Sequence, residues 1–466
     1  MQLSHAAWKI SARFDDPNLV SCAGLVPVAA IASRAGLPKL LERLSVPVPN
    51  AATKLVAVIL GMVAGADSIS DMNLLRHGGM GRVFGGIRAP STLGTFLRAF
   101  TFGHVRQLDA VASRLLARLC RWAPLLADAA ELAYLDVDDT VRETHGYAKQ
   151  GAGRGYTGVN GLNALLATLS TPGRVPVIAA SRLRRGNANS MRGAPRLLAE
   201  ALRIARRAGA TGLVIVRADS AFYAHSIIAA AGRAGARFSV TLRHTPTVLA
   251  AIAGIDEAAW TPIQYRNSLW DDQDQRWVSE AEVSEAEVAE VAFTAFTGRR
   301  RREHHTARLI VRRVRRLNPD AVPAGEAAQG ELFAAYRYHA IFTDTPLSTL
   351  DAEAAHRDHA IVEQVIADLK NSALAHLPSG NFSANGAWLA AATMAYNLTR
   401  AAGSLAGSLH AKARTASLRT RLINTPARIA RSARRLVLHL PTAWAFEPGL
   451  DELFRRALHD PLPATT

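Results

Sequence analysis

The chain has 466 residues, 49% hydrophobic and 20% charged, enough apolar material for one large core or several domains. Lys plus Arg number 55 against 38 Asp plus Glu, a net charge of +17. A surplus dominated by Arg points to a polyanionic partner, nucleic acid first, because the guanidinium forks onto phosphate. The competing explanation is codon bias in a GC-rich genome, which inflates Arg and Ala together. Cys22 and Cys120 form no CxxC pair and no zinc spacing, which fits a reducing cytoplasm. The N-terminus has no apolar core of signal-peptide length. The longest apolar stretches, Leu55–Ala66 and Ala387–Ala395, are too short to span a bilayer, so no membrane role is expected.

In chain order, residues 1–128 read as helical. Apolar stripes run over Leu25–Leu44 and Thr53–Ala64, and a capped helix begins near Pro90. The Gly-rich stretch His77–Gly86 between helices fits a helix-turn-helix or a plain bundle equally. From Leu132 the texture changes to short β-like runs at 133–137, 164–169, 175–181, 213–216 and 237–242. Amphipathic helices are expected at 195–208 and 226–234. Three strands of a meander followed by strand–helix alternation is the RNase H-like pattern. In that fold the first strand lies beside the strand after the first helix. Residues 246–335 break the alternation with β-rich segments and read as an insertion. A strand over 336–343, a helix over 352–374 and another over 387–405 resume the core, and a basic tail, expected to be helical, covers 406–466. The expected fold class is therefore α/β: an RNase H-like catalytic core in two parts (129–245 and 336–405), an inserted β-rich domain, and flanking helical N- and C-terminal regions.

Three acidic residues carry the chemistry. Asp138 lies in the LDVDDT run at 135–140, beside Asp136 and Asp139, and Asp219 ends the VIVRAD run at 214–219. Both sit at the ends of apolar strands, where crowded carboxylates repel unless a cation is present. The bland alternative is capping, by Asp139 with Thr140 and by Asp219 at the next helix. The third is Glu363. On a helical period His356, His359, Glu363 and Lys370 share one face, so a carboxylate and an ammonium stand two turns apart. Two strand carboxylates and one helix carboxylate suit a pair of divalent ions and in-line phosphoryl transfer. An ordinary solvated helix, or a zinc site made of both His and Glu363, are the alternatives. The Arg299–Arg302 run, with His304 and His305 after it, reads as a hairpin turn, either a phosphate clamp or a solvated loop. Trp260, Trp270 and Trp277 read as core residues, or as stacking platforms for an extruded base.

Taken together, LDVDDT (135–140), GLNALLA (161–167), LRRGNAN (183–189), RADSAF (217–222) and EQVIADLK (363–370) resemble the DDE-type transposases of bacterial insertion sequences. So do FDDPNLV (14–20) and the tail at 420–436. The branch is the one with a β-rich insertion between the second Asp and the Glu, and the 144 residues from Asp219 to Glu363 leave room for it. The resemblance implies that residues 1–128 bind DNA ends. It assigns catalysis and metal binding to Asp138, Asp219 and Glu363, with two Mg²⁺ ions, or Mn²⁺ in their place. Lys370 matches the family's phosphate-binding Lys. The family's Tyr and Arg are His356 and His359 here, and Arg357 is a candidate to share their phosphate-binding role. Cut-and-paste transposition through hairpin ends is implied, on transposon terminal inverted repeats and target DNA, by a homodimer in the synaptic complex. The setting implied is the bacterial cytoplasm, at the nucleoid. A domesticated or impaired transposase that binds DNA, and a stand-alone RNase H-like nuclease, are the rivals.

Overall fold

The structure is a computed structural model that describes residues 1–146, 148–155, 157–263, 268–271, 276–279, 286–315, 336–432 and 435–460. Two compact units divide the chain. One comprises residues 1–115 and 368–466, the other residues 116–367.

The first unit is built mainly of helices. Ala51–Ala64 is apolar almost all round and is accordingly buried along most of its length; it stops at Gly65, whose φ of 116° favours glycine. Phe382–Leu405 is the longest helix of this unit. Asn381 caps it by accepting the Ala384 N–H, and nearly every residue of it is buried around Trp388. Ala and Gly along it permit close approach of its neighbours. Among the described residues no helix is long and apolar enough to cross a membrane. The Gly-rich stretch at 77–86 contains one short helix, Met80–Val83. The basic tail departs from the helical expectation. Ala427–Ser432 and Arg435–His439 form an antiparallel hairpin, and Leu19–Val20 adds the third strand, with Leu19 opposite Arg428. Local Ala and Arg favour a helix there, but a strand some 400 residues earlier supplies the pairing that decides it. A helix follows at Glu447–Leu458.

The second unit is organised by one large mixed sheet. Its strands are β1 (Leu132–Glu143), β2 (Asn160–Ser170), β3 (Val177–Arg185), β4 (Leu213–Ala218), β5 (Arg237–Thr241), β6 (Ala286–Ala295), β7 (His305–Arg315) and β8 (Tyr336–Thr343). Their spatial order is β3-β2-β1-β4-β5-β8-β7-β6, with the two-residue strands Gly153–Arg154 and Thr261–Pro262 at its margins. The first three strands are an antiparallel meander, and β1, β4 and β5 are mutually parallel. Helices α1 (Ala194–Arg207) and α2 (His225–Arg233) make the crossovers that parallel pairing requires. The strand after the first helix does lie beside the first strand. The strands at 286–315 continue the same sheet, because β8 pairs with β5 on one edge and β7 on the other. Residues 268–271 and 276–279 form a separate hairpin. The side chains of Trp270 and Trp277 lie outside the described residues. Trp260 stacks against the Arg313 guanidinium, 4.3 Å from its ring centre.

The expected continuous helix at 352–374 is broken. Helix α3 (Thr349–Arg357) leads into a 3-10 turn, Asp358–Ala360, and then helix α4 (Ile361–Lys370). A 3-10 turn advances about 120° per residue against 100° in an α-helix. It therefore resets the faces that a single period would have aligned.

Candidate active site

The parallel ladder of β1 and β4 ends with Asp136 beside Arg217 and Val137 beside Ala218. One step further on, the same register sets Asp138 beside Asp219. Side chains alternate along strands, so Asp138 and Asp219 project on the same side as Asp136 and Arg217.

Asp136 is fully buried and is the anchor beneath this pair. Arg217 Nε and Nη2 fork onto its two oxygens at 2.7 and 2.8 Å. His359 Nδ1 donates to Asp136 Oδ1 at 2.8 Å, which fixes the ring tautomer because a carboxylate only accepts. Arg217 also donates to the Ala355 carbonyl and lies over the Tyr134 ring, 4.1 Å from its centre. Strands β1 and β4 and helix α3 thus meet on one guanidinium, and the following turn joins them through the Asp136 carboxylate. Burial pulls the Asp136 carboxyl upward, but the Arg217 charge and the hydrogen bonds from His359 and Arg217 outweigh it and hold it below the usual range.

Asp139 points to the opposite face. It pairs with Arg184, accepts from Asn163 Nδ2 at 2.6 Å and from Ser190 Oγ at 3.0 Å. Arg184 in turn donates to the carbonyls of Asn189, Ser190 and Arg192, so it ties the LRRGNAN loop to the end of β1.

Among the described residues no Arg or Lys pairs with Asp138 in this way. Its Oδ1 accepts the Asp139 N–H at 2.7 Å. Burial pushes its carboxyl up to about 6, opposed by that hydrogen bond, and the like charge of Asp219 adds to the rise. Asp219 is exposed and accepts the Ala221 N–H at 3.0 Å, capping the 3-10 turn Ser220–Phe222. Surrounding protein also raises its carboxyl, against that backbone hydrogen bond. The capping expected of a bland Asp219 is therefore present, together with its closeness to Asp138.

Glu363 is exposed in the first turn of α4, four residues beyond His359. His359 touches the Asp136 carboxylate directly. Lys370 closes the same helix. His356 lies between Ser239 Oγ and Thr241 Oγ1, at 2.8 and 2.9 Å from its two ring nitrogens. Burial pushes it down to about 3, with the charges of His359 and Arg217 acting the same way. In this arrangement neither His356 nitrogen is turned to a phosphate, which differs from the DNA-facing position expected. Arg357 pairs with Glu353 at 3.1 Å. The zinc set of His356, His359 and Glu363 is not assembled, since Ser239, Thr241 and Asp136 engage the two rings. Among the described residues no three His, Cys, Asp or Glu side chains stand at metal-ligand spacing. Asp138 and Asp219, close enough for the charge of Asp219 to act on Asp138, present hard carboxylate oxygens of the kind that Mg²⁺, Mn²⁺ and Ca²⁺ prefer.

Sequence reasoning missed the Asp136–Arg217 pair. A signal was present: Asp136 precedes Asp138 by two residues, as Arg217 precedes Asp219, so parallel pairing aligns both couples.

The mixed sheet thus carries two carboxylates, Asp138 and Asp219, at the ends of adjacent parallel strands. The chain matches the model of a transposase DDE domain, group 1, over residues 4–460, and it belongs to that family. A comparison with curated proteins found no match.

Proposed function

We propose that this transposase excises and inserts a DNA element by metal-dependent cleavage and strand transfer, with Asp138, Asp219 and Glu363 as the acidic triad. The observation that carries the reading is the registration of Asp138 beside Asp219, two like charges without the guanidinium that neutralises Asp136. The strand order, a three-stranded meander followed by two parallel strands, supports an RNase H-like core. Residues 246–335 are then its insertion, residues 1–128 its DNA-end-binding region, and the basic tail a further DNA contact. The family as a whole supports a DNA substrate. The finer statement is that the substrate is the element's terminal inverted repeats and then target DNA, handled by a homodimer in the cytoplasm at the nucleoid.

Asp138, Asp219 and Glu363 would hold two Mg²⁺ ions, with Mn²⁺ able to replace them. Bound there, the ions supply Lewis-acid stabilisation of the attacking and leaving oxygens of an in-line displacement. The protein's own groups do the rest. Asp136 and Arg217 hold the ends of β1 and β4 in register. His359, fixed through Nδ1, keeps the first turn of α4, and so Glu363, against those ends. Lys370 binds a phosphate near the scissile bond, with His359 and Arg357 as further phosphate contacts. Cleavage frees a 3′-hydroxyl, which attacks the opposite strand to leave a hairpin end and later attacks target DNA.

Asp219→Asn tests the assignment. It removes a metal-binding charge and keeps the shape. Cleavage of a duplex carrying the DNA that flanks the gene should be lost in Mg²⁺, with binding retained; nicking at the wild-type rate would leave Asp219 as a helix cap only. A second reading, a DNA-binding derivative that no longer cuts, is favoured by the enclosed His356 at the family's Tyr position. Wild-type protein that binds the duplex and never cuts it would establish that reading instead.

A further inference from the structure

The Arg299–Arg302 run forms the tip of the β6–β7 hairpin, between the pair Ala295–His305. The tip is built, not slack. Arg299 N–H donates to the Phe296 carbonyl at 2.9 Å, Glu303 N–H to Arg300 at 2.7 Å and His304 N–H to Arg301 at 3.1 Å. His304 Nε2 lies 3.1 Å from the Arg299 carbonyl oxygen and closes the turn. Phe296 has a φ of 62°, a left-handed conformation that is uncommon for a bulky residue. Such outliers persist where the surroundings over-determine them. Here the surroundings are the segment that follows Asp219. Phe296 stacks on Tyr223 with ring centres 4.9 Å apart, His225 meets its edge at 6.0 Å, and Glu303 lies 3.9 Å from His225. Tyr223 directly follows the 3-10 turn that Asp219 caps. At about 2 Å of rise per residue, that turn leaves Tyr223 within about 10 Å of Asp219. All four arginines are exposed. Arg243, whose charge also reaches Asp219, donates to Ser220 Oγ at 3.4 Å on the same side.

We propose that this hairpin tip is a DNA phosphate clamp, pinned by Phe296 and Tyr223 beside the Asp219 end of the active site. It grips the duplex backbone a few nucleotides from the scissile bond, and this rests on the phosphodiester chemistry proposed above. Guanidinium run, anchored turn and nearby carboxylate pair are separate observations that converge on one ligand, the DNA backbone. That backbone belongs either to the element's end or to the target.

The test replaces Arg299, Arg300, Arg301 and Arg302 together by Gln in the full chain. Thermal unfolding should be unchanged, because the side chains are exposed. Affinity is measured against salt for two labelled duplexes of equal length, one with the gene's flanking sequence and one scrambled. Each lost phosphate contact lowers the log–log salt slope by about 0.9. A slope shallower by about two to four and at least about a tenfold loss of affinity are expected. Loss on both duplexes assigns the clamp to any backbone, target included; loss on the flanking sequence alone assigns it to the element's end. The four-fold Arg→Lys variant should keep most of the binding, and Tyr223→Ala should lose part of it. Unchanged affinity and slope on both duplexes would overturn the clamp while leaving cleavage by wild-type protein, and so the functional reading, intact. Wild-type protein that neither binds nor cuts either duplex would overturn both.

Discussion

Asp136 and Asp138 lie two residues apart on one strand and one face, yet their surroundings are opposite. Asp136 is buried and receives a forked guanidinium and an imidazole N–H. Asp138 is half-buried, receives one backbone N–H and faces another carboxylate. The same residue type is an architectural part in one place and, in the function proposed, a chemical one in the other, and a single arginine makes the difference. Removing charge should therefore damage the first and spare the second, so far as folding is concerned.

The largest effect should come from Asp138→Asn. Cleavage should fall on the order of a thousandfold or more, in line with the loss of a group that stabilises a transition state. The melting temperature should stay the same or rise, since one of two repelling charges is gone. A melting temperature that falls as far as that of an Arg217 variant would erase the contrast. Arg217→Leu comes next. It strands a buried carboxylate, and breaking a buried pair in this way costs about 3–5 kcal/mol. Urea denaturation measures it, and a cost under about 1 kcal/mol would show that Asp136 is not held by Arg217. Arg184→Gln should cost somewhat less, about 2–4 kcal/mol, because Asn163 and Ser190 still donate to Asp139. Its signature is protease sensitivity at the 186–193 loop, whose carbonyls Arg184 binds.

The smallest effect at neutral pH is expected of His356, whose contribution shows in the acid limb. His356 falls from 6.5 to about 3 in the folded chain. Its folded value is depressed, so the unfolded chain takes up the proton first. The stability its neutral form contributes is intact above about 6.5 and is lost as pH falls from there toward about 3. His356→Gln should flatten that part of the acid limb in denaturation measured at stepped pH. An acid limb as steep as that of the wild type would place the His356 ring in water.

Much of the sheet was legible beforehand. Apolar runs bounded by turns located β2, β4, β5 and β8 to within a few residues but caught only the first half of β1, and the meander-then-alternation order set β1 beside β4. The helix phase was not legible, because nothing local announces the 3-10 turn at Asp358–Ala360 that interrupts the helical period between His356 and Glu363. Arg217 follows the apolar run of β4, and only its strand neighbour Asp136 explains it. The tail hairpin was illegible for a related reason, since Leu19–Val20, far off in sequence, completes it.

That distant pairing has a consequence for the order of events at the ribosome. The first unit is split, with its opening 115 residues made first and its closing 99 made last. Leu19 and Val20 must wait for Ala427 and Arg428 to emerge, and the loop to be closed is some 400 residues long. The sheet-bearing unit, by contrast, is continuous in synthesis and can fold as it leaves the tunnel. A prematurely terminated product would then carry a finished carboxylate site and an unfinished N-terminal unit. Completion of that unit is reserved for full-length chains.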